Sequence, residues 1–185
     1  MAKFKNPWSH KDSPWYNEEK DRWYNQHPQS DENNNQRRGV KNVSQAGLDF
    51  IARFEGFSPI VYKVDGKGNP TIGFGHELKE GESYPDGITR KQGLKLLRSD
   101  AQHFVDIINE HVKVPLNQAQ FDALTSYIFN TGSLYGTNLL RNLNASNFKA
   151  AAKEMDINSS NGVFMQGLQN RRIAEQKLFN TGMYK

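Results

Sequence analysis

A chain of 185 residues can bury one good core, or two small lobes sharing a long helix. Its net charge of +4 and pI near 9.2 suit acidic surroundings, but there is neither the clustered basic face nor the module signature that nucleic-acid binding requires. The absence of cysteine excludes disulfides, a thiolate nucleophile and a Cys-based metal site, and no stretch approaches the roughly 18–20 apolar residues of a membrane span. Residues 1–43 read as an arm and linker. They hold Trp8, Trp15, Trp23, Tyr16 and Tyr24 among charges and prolines, and Ser30 to Arg38 is a polar run. Aromatics in a segment too polar to build its own core predict docking onto something else.

The folded part begins near residue 44. Leu48, Ile51 and Ala52 fall at helical spacing, and Glu55 is the next residue on the same stripe. Ser44 is the expected N-cap and Gly56 the expected left-handed stop. Partial burial of a carboxyl disfavours its charged form, as a general acid needs, so Glu55 is the first candidate for chemistry; a structural acid paired with an arginine is the alternative. From Ile60 to His76, β-favouring residues flank a turn-rich centre at Asp65 to Pro70, which predicts a hairpin. Asp65 lies at that turn, in a hydrated setting where it stays ionised, and Thr71 opens the return strand with a hydroxyl that can hold water. A protonated and an ionised carboxyl close together form the pairing that cleaves glycosidic bonds.

Beyond the hairpin the pattern is helical. Thr89 caps a stripe of Leu94, Leu97, Ala101, Phe104, Val105 and Ile108 reaching about His111, long enough to bridge two lobes. Asn117 and Gln120 resemble a capping box for a helix to Phe129, with Gly132 as its stop. Shorter helices are expected around Leu139, from Phe148 to Met155, and from Leu168 to Phe179, with an Asn- and Ser-rich loop from Asp156 to Gly167. The expected class is α+β, a small hairpin-containing lobe and a larger helical lobe joined by a long helix, with a groove between them.

Several runs of residues in order point to a family. These are Phe54-Glu55-Gly56, then Tyr62, Asp65, Gly66 and Gly68, then Thr71-Ile72-Gly73-Phe74-Gly75-His76. Farther on come Leu116 to Leu124, Phe129-Asn130-Thr131-Gly132, Asn170-Arg171-Arg172 and Phe179-Asn180-Thr181-Gly182. Over residues 44–185 the chain resembles the phage-type lysozymes, also called endolysins or muramidases. The resemblance implies a lysozyme-like fold and places the acid, carboxylate and threonine on Glu55, Asp65 and Thr71. The Glu55–Asp65 gap is one residue longer than the family usually shows, an insertion assigned to the turn side. It also implies that His76 ties the hairpin to the second lobe, that Arg171 approaches Glu55 from the C-terminal lobe, and that Phe129 and Asn130 line the cleft. A packing role for Phe129 stands beside that reading.

The expected substrate is the glycan strand of peptidoglycan, with no cofactor and no metal, and the expected catalytic domain is monomeric without stable membrane insertion. Lacking the apolar core of a signal peptide, the chain is expected to be made in the bacterial cytoplasm and to reach the wall through a pore or as part of a particle. Residues 1–43 are expected to dock onto a carrier such as a phage tail or secretion spike. The rivals are a lytic transglycosylase, a noncatalytic lysozyme-like module of a particle, and a zinc hydrolase. His76-Glu77 begins like a zinc-protease helix, but Glu80 stands where its second histidine belongs, and His103 and His111 lie on another element.

Overall fold

The computed structural model describes residues 40–63, 68–132, 134, 137–160 and 162–185. Asp65 and all of the predicted arm before Val40 lie outside the described residues. Helix α1 spans Gln45–Glu55, and its Leu48, Phe50, Ile51 and Ala52 are buried. Burying each of the three larger side chains contributes about 1.5–3 kcal/mol, which fixes which face of α1 turns inward. Ser44 caps the helix by accepting the Gly47 N–H at 3.0 Å. Its own N–H and hydroxyl donate to Asp122 at 3.0 and 2.5 Å. The chain passes so close to this carboxylate that a Cβ on Gly47 would lie 2.5 Å from Asp122 Cγ, so α1 can seat only with glycine there. Fully buried Asp122 also accepts from Gln118 Nε2 at 3.0 Å and from the Tyr184 phenol at 2.7 Å. Burial, with the carboxylate beside it, pushes that phenol up to about 12, so it stays a donor.

The stop at Gly56 differs from the expected left-handed cap. Its φ of 71° is positive, but its ψ of 167° turns the chain directly into strand β1, in a region that only glycine enters without strain. Strand β1 (Ser58–Tyr62) pairs antiparallel with β2 (Thr71–Gly73), as the hairpin reading predicts. A third strand, β3 (His76–Glu77), adds to β2 with Ile72 opposite His76. Two residues are too few to show alternation, so β3 leaves no periodic trace in the sequence.

Helix α2 (Arg90–His111) has 22 residues and is therefore about 33 Å long. A capping box between Thr89 and Gln92 starts it, and the sheet, α1 and α3 all pack against it. Helix α3 (Gln118–Thr131) opens with the Asn117–Gln120 capping box and ends at Gly132. Short helices α4 (Asn138–Asn144) and α5 (Phe148–Lys153) follow, and α6 (Gln166–Thr181) lies along α3. Where a plain loop was expected before α6, a small hairpin forms from β4 (Ser159–Ser160) and β5 (Val163–Phe164). The architecture is α+β, a small sheet lobe and a larger helical lobe connected by α2. The N-terminal root is fastened to the helices from Lys41 onward. Its N–H and C=O bond both ends of the Asn109 amide at 3.1 and 2.8 Å, and Asn42 C=O accepts from Gln118 at 2.9 Å.

His76 secures the sheet to α2. The ring is 3% exposed; its Nδ1 lies 3.0 Å from Asp100 of α2, and its Nε2 lies 2.9 Å from Glu82, which also accepts the Lys79 N–H. Burial opposes charge on the ring, but the two carboxylates outweigh it and raise the His76 pKa above 6.5. Burial likewise works against the Glu82 carboxylate, and the Lys79 N–H and His76 outweigh that, holding its pKa below 4.5. The histidine's contribution is complete below pH 6.5 and is lost as pH rises through its folded value; that of Glu82 is complete above pH 4.5 and lost as pH falls through its own. Urea unfolding of the wild type and His76→Asn across pH 4 to 9 is therefore expected to differ most between pH 4.5 and 6.5, with the difference narrowing at high pH. A constant difference over that range would contradict the clasp.

Candidate active site

Glu55 closes α1, and its side chain is 22% exposed, so the carboxyl sits at the surface of the packed region instead of inside it. Arg171 of α6 meets it, with Nη1 donating to Glu55 Oε1 at 2.7 Å. The guanidinium is buried, covers the Phe54 ring at 5.3 Å, and donates through Nε to Glu175 Oε1 at 3.0 Å and through Nη2 to the Ser126 carbonyl at 3.2 Å. Four directions of contact leave this arginine one orientation.

Glu175 is wholly buried and holds more than Arg171. Its Oε1 accepts the Ser126 hydroxyl at 2.6 Å, and its Oε2 lies 3.1 Å from Arg172 Nε. Arg172, also buried, lies over the Tyr127 ring at 4.8 Å and donates through Nη2 to Asn130 Oδ1 at 2.7 Å. Burial pushes the Glu175 carboxyl up and the Arg172 guanidinium down, while their mutual attraction opposes both shifts. Because guanidiniums keep their protons in proteins, two adjacent buried cations need this carboxylate as their counter-charge.

The structure thus brings Glu55, Arg171 and Asn130 into one connected network. Phe129, beside Asn130 on α3, is partly buried with its ring edge-on to Phe104 of α2 at 5.5 Å. Thr71, 6% exposed, donates its hydroxyl to the Asn69 carbonyl at 3.0 Å, which leaves the oxygen lone pairs as acceptors. His76 belongs to the clasp with Asp100 and Glu82, and it stands on a strand, so the zinc-protease helix geometry is absent here. Sequence reading gave no role to Glu175, Arg172 or Ser126. The spacing of Glu175, three and four residues after two arginines on a helix, was a readable signal for the first two; nothing local marks Ser126.

The Phage lysozyme family profile matches residues 52–175. The chain belongs to that family. It is 42% identical over 149 residues to the endolysin of Bacillus phage B103, covering 78% of this chain and 56% of that protein. It is 40% identical over 142 residues to the endolysin of Salmonella phage P22, covering 74% and 97%. Among solved structures, the endolysin from Escherichia coli O157:H7 phage FAHEc1 superposes with a TM-score of 0.70 at 32% identity, covering 78% of this chain and 97% of that one. The match spans little more than half the length of the two Bacillus phage endolysins, 56% and 57%.

Replacing Glu175 by alanine is expected to cost roughly 3–5 kcal/mol, because it takes the carboxylate from buried Arg172 and leaves buried Arg171 with Glu55 alone. Ser126→Ala removes one of the donors to this carboxylate and should cost less, about 1.5–3 kcal/mol. Denaturant titrations of the two variants giving equal losses would contradict the counter-charge role.

Proposed function

We propose that this chain is a peptidoglycan hydrolase, a muramidase that cuts the β-1,4 bond between N-acetylmuramic acid and N-acetylglucosamine. The observation that carries the reading is the partly exposed Glu55 carboxyl held at 2.7 Å by a buried arginine from the other end of the chain, in a member of the phage lysozyme family. A glutamate kept only for packing has no need of so much aim. Glu55 gives its proton to the bridging oxygen as the bond to the leaving sugar breaks. Asp65 takes a proton from a water that attacks the anomeric carbon, and the acceptor lone pairs of Thr71 orient that water. Arg171 keeps Glu55 pointed at the leaving oxygen, and Phe129 and Asn130 contact the strand from the helical lobe. Balance is kept: one water is added, one proton enters from Glu55 and one leaves to Asp65.

Residues 1–43 are the docking segment in this reading, tying the enzyme to a carrier that brings it to the wall. The Lys41–Asn109 bonds support a catalytic unit that starts at the root of the arm.

Three measurements test the proposal. Glu55→Gln should unfold at the wild-type temperature yet release almost no reducing ends from purified peptidoglycan; wild-type turnover by this variant would overturn the assignment. Mass spectrometry of the wild-type products should show hydrated ends, whereas products one water lighter would mark a lytic transglycosylase. A chain beginning at Lys41 should keep the full rate on purified peptidoglycan, and loss of activity in a folded truncation would place the arm inside the catalytic unit.

A further inference from the structure

Among the described residues, Glu175 differs from an ordinary buried ion-pair partner in where its partners lead. Both of its oxygens face consecutive arginines on its own helix, and each guanidinium continues outward to a residue that is only partly buried: Arg171 to Glu55 at 2.7 Å, Arg172 to Asn130 at 2.7 Å. Ser126 of α3 fixes the carboxylate from the third side at 2.6 Å. We propose that Glu175 is a positioning residue that sets two parts of the active site at once, the proton donor through Arg171 and the cleft asparagine through Arg172. This rests on the reading of Glu55 and Asn130 given above.

The physical argument is one of aim. Both guanidiniums have other neighbours, the Phe54 ring and the Ser126 carbonyl for Arg171, the Tyr127 ring for Arg172. Those contacts tolerate rotation and sliding, because a ring face is broad and a carbonyl accepts over a wide angle. Like charges on adjacent residues also push the two guanidiniums apart. A carboxylate at positions i+4 and i+3 from them offsets that repulsion, accepting a hydrogen bond from Arg171 Nε at 3.0 Å and lying 3.1 Å from Arg172 Nε as an ion pair, while Arg171 Nη1 and Arg172 Nη2 lead outward to Glu55 and Asn130. All three residues stand on one turn of α6, a rigid support, and a displacement of about 1 Å at a reacting group can cost about a hundredfold in rate. One buried acid therefore couples the donor's orientation to the grip on the strand.

The test uses full-length protein and soluble glycan strands bearing stem peptides, with rates normalised to the folded fraction from circular-dichroism melts. Glu175→Gln is expected to lower kcat about tenfold or more and to raise KM, whereas Arg172→Met is expected to raise KM with kcat within about twofold of wild type. Glu175→Asp, which keeps the charge but withdraws it by one methylene, should melt cooperatively and still lose kcat. Wild-type kcat and KM in either Glu175 variant, or failure of both to fold, would make Glu175 structural only and overturn the proposal; so would equal loss of kcat in Arg172→Met. If the wild type itself releases no reducing ends, the functional reading has failed, and the hub is judged by NMR. Slowly exchanging Nε–H signals of both arginines should then be present in the wild type and lost in Glu175→Gln; their retention in that variant would overturn it.

Discussion

The contact between Arg171 and Glu55 joins residues 116 positions apart, and most of the fold can be read as what is needed to make it at 2.7 Å. One end stands on α1, whose place is set by the Ser44 cap, the buried face of Leu48, Phe50 and Ile51, and the close passage of Gly47 over Asp122. The other stands on α6, packed along α3 and held by Glu175 and Ser126. Neither helix could hold the pair alone. Such a pair gives little net stability, since one partner stays partly exposed to water and burying the other has its own cost. Its value lies in geometry, and the apolar core around it supplies the stability that lets the geometry persist.

Two buried carboxylates organise the helical lobe, and the contrast between them is instructive. Asp122 is surrounded by neutral donors, Ser44, Gln118 and the Tyr184 phenol, and so gathers the root of α1, α3 and the C-terminal end around one charge. Its partners belong to three separate parts of the chain, and it serves assembly. Glu175 is surrounded by cations whose far ends reach the surface. The same chemical group is a fastener in one place and a guide in the other, and the difference lies in whether its partners are neutral donors or bifurcating guanidiniums, which can accept aim at one end and deliver it at the other.

Helix spans were legible because their signals are local. Thr89 declares an N-cap and Asn117 with Gln120 a capping box, and the stripes on α1 and α2 declare their inward faces. The third strand and the small hairpin before α6 were not legible, being only two residues per strand, and the backbone at Gly56 took a form that its neighbours in sequence do not dictate. Within the site, the helix spacing of Arg171, Arg172 and Glu175 was visible in principle, but the approach of Arg171 to Glu55 depends on the packing of α6, which no local pattern encodes. Its expectation came from resemblance. Ser126 and the role of Asp122 could come only from the assembled structure.

The sheet side of the site is governed by a different constraint. Thr71 opens β2, β3 is hydrogen-bonded beside it, and His76 of β3 is clasped to Asp100, so the sheet is fastened to α2. Glu55 stands on α1 and is met by Arg171 of α6. From α1 the chain enters the sheet directly: Gly56 turns at a positive φ, and Phe57 packs its ring on Phe74 at 5.1 Å. Because α1 and the sheet both pack on α2, the Glu55 side and the Thr71 side of the site rest on one common support, and that shared helix, with the turn at Gly56, sets how they face each other.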